Sequence, residues 1–138
     1  MKYALERFEK AQAENFSTAL AEVKKGQKRS HWMWYIFPQL AGLGRSETAK
    51  FYSIADLSEA AAFLEHPVLG NNFLTISRAL LALPENNATS IFGQPDDQKL
   101  HSSMTLFSLL PGTDPVFQQV LDKYFNGKKD QQTIQLLQ

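Results

Sequence analysis

Between Gly26 and Ser46 the chain reads Gly26-Gln27-Lys28-Arg29-Ser30-His31-Trp32-Met33-Trp34-Tyr35-Ile36-Phe37-Pro38-Gln39-Leu40-Ala41-Gly42-Leu43-Gly44-Arg45-Ser46. Both tryptophans and one of three histidines fall here. Lys28, Arg29 and Ser30 stand just before a predicted helix start. Backbone N–H groups at such a start, with cations beside them, suit a phosphate or carboxylate. His31 would meet that anion as hydrogen-bond donor or general acid. Trp32 or Trp34 would stack on a ring of the ligand. Gln39 and Arg45 extend the polar edge, and Gly42-Leu43-Gly44-Arg45 is a loop able to touch an anion. The plainer alternative makes Lys28 and Arg29 solvated loop charges and Ser30 an N-cap. In either case Met33, Ile36 and Phe37 belong to the core.

A second constellation runs from Asp96 to Thr105. Lys99, Ser102 and Ser103 stand at i, i+3, i+4 and form a polar strip beside an apolar stripe of Leu100, Met104 and Phe107. The alternative is that Asp96 or Asp97 favours the helix start and the serines bond back to helix carbonyls. Combined, the two constellations predict one pocket. Trp32 and Trp34 wall it; Lys28, Ser30, His31, Gln39, Arg45, Lys99, Ser102 and Ser103 line it. Lys28 and Arg45 hold the anion, and His31 moves a proton if a reaction occurs. Neither serine sits in a nucleophile elbow. His31, His66 and His101 are scattered without a chelating neighbour, so no metal and no cofactor is expected. The Gly42–Ser46 loop follows no strand and lacks the Walker lysine spacing, which excludes a P-loop or Rossmann site.

Helices must position these side chains. Phe16, Ala19, Leu20 and Val23 repeat at helical spacing, and Lys24, Lys25 and Gly26 close that helix. A short helix over 31–37 stops before Pro38. Ser46 and Glu47 open the next, and Ser58 is the expected N-cap for Glu59–Glu65. Pro67 suits the first turn of a longer helix with Phe73, Leu74, Ser77, Leu80 and Leu81 on one stripe, and His66 reads as a capping residue. Pro84–Asn87 reads as a turn. Further helices follow over 95–110, from Thr113-Asp114-Pro115 to Asn126-Gly127, and from Asp130. No run alternates with period two. The expected fold is all-α: a single domain over 1–138 with six to eight short helices in array-like, orthogonal packing.

The Gly26–Ser46 block resembles the signature of an uncharacterised bacterial family, domain of unknown function 1810. The carrying residues are Gly26, Lys28, Ser30-His31-Trp32-Met33-Trp34, an aromatic at Tyr35, Ile36-Phe37-Pro38-Gln39, Gly42-Leu43-Gly44 and Ser46. Further similar stretches are Arg7-Phe8, Ala11-Gln12, His66-Pro67-Val68-Leu69-Gly70, Ile91-Phe92-Gly93, Lys99-Leu100, Ser102–Phe107, Phe125-Asn126-Gly127 and Asp130. His101 departs from the basic residue expected at its place. The resemblance implies an all-helical fold and no particular activity. Some members are called calpastatin, but calpain inhibitors of that kind are largely disordered, whereas this chain is rich in core-forming residues.

Composition narrows the function classes. Fourteen basic residues balance fourteen acidic ones, so the chain lacks the electrostatic footprint of a general nucleic-acid binder. There is no cysteine for a disulfide, a zinc thiolate or a thiol nucleophile. The segment from Met1 to Arg7 turns charged early and lacks the apolar core of a signal peptide, and no apolar run is long enough to span a bilayer. The expectation is a cytoplasmic protein. Its expected partner is an anionic, nucleotide-like small molecule, with no membrane; a third reading, RNA or single-stranded DNA on Trp32, Trp34 and Arg29, is disfavoured by the neutral net charge. The rival is a protein-interaction domain with an aromatic groove.

Overall fold

Apolar residues at helical spacing, closed by local caps, produce the observed architecture. The computed structural model describes residues 4–138, with no strands among them; Met1-Lys2-Tyr3, where the reading of the amino end begins, lie outside them. Helix α1 (Glu6–Lys24) buries Phe8, Gln12, Ala19 and Val23 and ends where predicted, at Gly26 with φ +76°. Helix α2 is shorter than expected, Met33–Ile36, because Trp32 has left helical geometry with φ −131°. Ser46 caps α3 (Glu47–Phe51), its hydroxyl accepting from Ala49 N. Between these two helices a single bridge pairs Leu40 with Ile54: Ala41 N donates to Ile54 O and Ile54 N to Gln39 O.

Helix α4 (Leu57–Glu65) starts earlier than expected. Its N-cap is Asp56, not Ser58, since the Asp56 carboxylate accepts from Glu59 N while Glu59 reaches back to Ala55 N. The Asp-x-x-Glu spacing was the available signal. His66 caps α5 (Pro67–Ala82) as expected, its Nδ1 accepting from Val68 N and Leu69 N. Helix α6 (Ala88–Phe92) was not anticipated. It is five residues long, too short to show periodicity, and rests on the Asn87 cap. Helix α7 (Asp96–Ser108), α8 (Val116–Phe125) and α9 (Gln131–Leu137) complete the chain.

Helix α5 packs against α1, α4 and α8, and α7 against α4, α6, α8 and α9. Aromatic rings fill the meeting point. Phe73 lies 4.6 Å from Phe107, 5.2 Å from Phe117, 5.6 Å from Phe63 and 5.9 Å from Phe37, mostly edge to face. Buried polar contacts orient the shorter pieces. Gln12 donates to Tyr35 O and accepts from Asn72, tying α1, α2 and α5 together. Arg7 donates to Phe51 O, Ser53 O and Glu59, which pins the end of α3 onto α1 and α4.

Candidate functional site

Where an external anion was expected, at Lys28–His31, the chain places its own carboxylate. Glu22 Oε1 accepts from Arg29 N (2.8 Å), Ser30 N (3.0 Å) and Trp32 Nε1 (2.8 Å), while Oε2 accepts from the Ser30 hydroxyl (2.6 Å). Burial opposes ionisation of Glu22, but these hydrogen bonds outweigh it and hold the carboxyl at about 2. Trp32 is 1% exposed and packs on Phe37 and Phe92, so it is a core residue and not an open pocket wall. Ser30 is likewise committed. The physical reason is that a buried indole N–H needs an acceptor, and the last turns of α1 supply one.

Lys28 is also occupied. Its ammonium pairs with Asp96 Oδ2 at 2.8 Å, donates to Ser30 O at 2.6 Å and lies 5.1 Å from the Trp32 ring centroid. Asp96 Oδ1 faces Lys99 at 3.4 Å, and Lys99 lies 5.3 Å from the centroid of half-buried Trp34. One carboxylate thus stands between two ammonium groups, each resting on one of the two tryptophans.

Three predicted residues do meet. Trp34, Gln39 and Lys99 line a narrow cleft with Met33, Phe37, Ala49 and Tyr52, with about 10 Å³ of room, near what one water needs. Gly44 forms its edge: a Cβ there would stand 2.4 Å from Ala49 Cβ and 3.4 Å from Gln39 Nε2. Arg45 turns the other way, into a hollow of about 280 Å³ shared with Gly42, Leu43, Gln132, Gln135 and Leu136. Among the described residues Arg45 has no ion-pair partner.

The remaining residues lie apart. His31 is exposed and outside α2, so it does not share a helical face with Trp34. Ser102 faces α9, donating to Gln98 O and to Asp130 Oδ2, the carboxylate that caps that helix. Ser103 is fully buried, and its hydroxyl has no hydrogen-bond partner among the described residues. The expected convergence of Lys28, His31 and Ser102 is therefore absent: one is paired with Asp96, one is in solvent and one is on the α9 side. Sequence reasoning missed Glu22, which meets Arg29, Ser30 and Trp32 across the connection from α1 to α2, and also Tyr52, Gln132 and Gln135, the last two far along the chain from Gly42–Arg45. Among the described residues no group of three His, Asp or Glu is placed to hold a metal, and no helix is long and apolar enough to cross a membrane.

Nine helices among the described residues, closed over a ring-packed centre and carrying a lysine–tryptophan cleft, define an all-α protein. The chain belongs to the family described as protein of unknown function (DUF1810), whose model matches residues 2–137. It is similar to the conserved hypothetical protein Rv1873 from Mycobacterium tuberculosis, known from a crystal structure. The two share 42% identity over 96% of this chain and 95% of that chain, with a TM-score of 0.94. No curated protein matches.

Proposed function

We propose that this chain is a cytoplasmic protein that binds an anionic, partly aromatic small molecule of the nucleotide kind at the Gly42–Arg45 loop. The supporting observation is that this one loop separates two hollows, each with a cation. Arg45 has no ion-pair partner among the described residues, and Lys99 shares Asp96 with the nearer Lys28. An anion in the larger hollow would meet Arg45 together with the Gln132 and Gln135 amides, while Leu43 and Leu136 offer apolar contact. Its volume is near the lower end of small-molecule clefts, roughly 300–1,000 Å³, so the ligand is small. Trp34 and Lys99 lie in the narrow cleft, where a ring would have to displace Lys99 from Trp34 to enter. His31 is not oriented on any reacting group, so the proposal is of binding.

Thermal-shift and calorimetric titrations with adenosine and guanosine mono- and diphosphates, against adenosine and phosphate alone, test this. A ligand at about 100 times its Kd adds about 2.7 kcal/mol to stability. Arg45→Ala and Lys99→Ala should each weaken binding about tenfold, or about 1.4 kcal/mol, with the free protein's Tm little changed. A flat panel, or nucleotide binding indifferent to both variants, ends the reading. The partner-docking alternative is favoured by Phe51, 59% exposed and edge-on to Tyr52. A protein captured by the wild type and Arg45→Ala but lost with Phe51→Ser would establish it instead.

A further inference from the structure

We propose that a separate recess, between the start of α6, the first turn of α7 and the end of α8, binds a neutral, hydroxyl-rich ligand such as a mono- or disaccharide. Its volume is about 500 Å³, within the range of small-molecule clefts.

The charged groups at this recess are already engaged. Asp97 is buried; its Oδ2 accepts from the Thr89 hydroxyl at 2.5 Å and its Oδ1 from Gln98 N at 2.8 Å. Lys123 turns its ammonium to the carbonyls of Leu81 and Leu83. The Tyr124 hydroxyl donates to Leu80 O, and burial, with the Glu85 charge as a lesser cause, pushes it up to about 12, so it is neutral at physiological pH. The side chains left without a hydrogen-bond partner are uncharged. The side chains of Asn86, Gln98 and Asn126 are exposed and make no hydrogen bond among the described residues.

A carboxamide offers an acceptor and two donors, the complement of neighbouring hydroxyls that each donate and accept. An ion of either sign brought here meets both an ammonium, Lys123, and a carboxylate, Asp97, in the same lining, so attraction to one is offset by repulsion from the other while its hydration is lost. Phe125 is the aromatic residue of the lining, and His101 stacks on one face of its ring at 4.2 Å and 6°, which fixes that ring. Amide donors and acceptors beside a fixed aromatic ring match a pyranose, with hydroxyls at its edge and C–H bonds on its faces.

Amide-resolved NMR titration of the full chain with glucose, N-acetylglucosamine and trehalose, and separately with adenosine monophosphate and phosphate, tests this. At least one sugar should give saturable shifts at residues 86–89, 97–98 and 123–126, with Kd on the order of 1–10 mM. The double variant Asn86→Ala/Gln98→Ala alters two exposed side chains. It should weaken that binding at least about fivefold at unchanged Tm, while Arg45→Ala leaves it intact. Absence of saturable shifts from all three sugars overturns the proposal. So do shifts there from the nucleotide but no sugar, which would make the amides a base-reading edge, and sugar binding unaffected by the double variant.

Discussion

A carboxylate that accepts from two backbone amides, a hydroxyl and an indole loses favourable contacts when it takes up a proton. Glu22 is in that position, and its carboxyl is held at about 2 against an ordinary 4.5. A depressed folded-state value means the stabilisation is fully present above pH 4.5, declines as pH falls below it, and is gone beneath about pH 2. Glu22→Gln should therefore cost about 1–2 kcal/mol at neutral pH, a figure kept low because the side chain is partly exposed. Melting curves of both proteins from pH 7 downwards check it: the gap in Tm should close as pH approaches 2, and a constant gap would refute the assignment. At this scale the residue types were legible and their partners were not. Trp32 needs an acceptor for its N–H wherever it is buried, but nothing within a few residues of it says that Glu22, on another helix, supplies one.

At the scale of elements, α7 explains why a predicted polar strip came apart. Lys99 leans towards α2 and its Trp34, Ser102 towards α9 and its Asp130, and Ser103 into the core between. Helical spacing placed all three on neighbouring positions, but α9 packs along one edge of the strip and divides it. The α4–α5 junction depends on close approach in the same way. A Cβ at Gly70 would stand 2.0 Å from Leu64 O and 2.9 Å from Leu64 C, backbone atoms that cannot swing aside. Gly70→Ala should cost about 3 kcal/mol, as overpacking against a fixed neighbour does. Urea denaturation reads this directly, and a variant within about 0.5 kcal/mol of wild type would show that the two helices can separate freely.

At the scale of the whole molecule, the ring cluster about Phe73 joins α5, α4, α7, α8 and the end of α2. Phe73→Ala should remove about 3–5 kcal/mol from a domain whose total stability is on the order of 5–15 kcal/mol. The midpoint of a cooperative urea transition checks this; a loss below about 1 kcal/mol would mean the cluster collapses around the gap. From the sequence alone followed the all-α class, most helix positions and their stops at Gly26, Pro38 and Asn126-Gly127. These depend on interactions within a turn or two of the same segment: the 3.6-residue apolar period, side-chain oxygens at N-caps, and left-handed residues at C-termini. Only the tertiary structure decided what each polar group faces. It set Glu22 where an external anion was expected, enclosed Trp32, gave Ser102 to α9, and left Arg45 beside the glutamines of a helix that begins 86 residues later. Hydrogen bonds and charge pairs act through space, so their partners are chosen by which helices pack together, and that choice is made by the whole core at once.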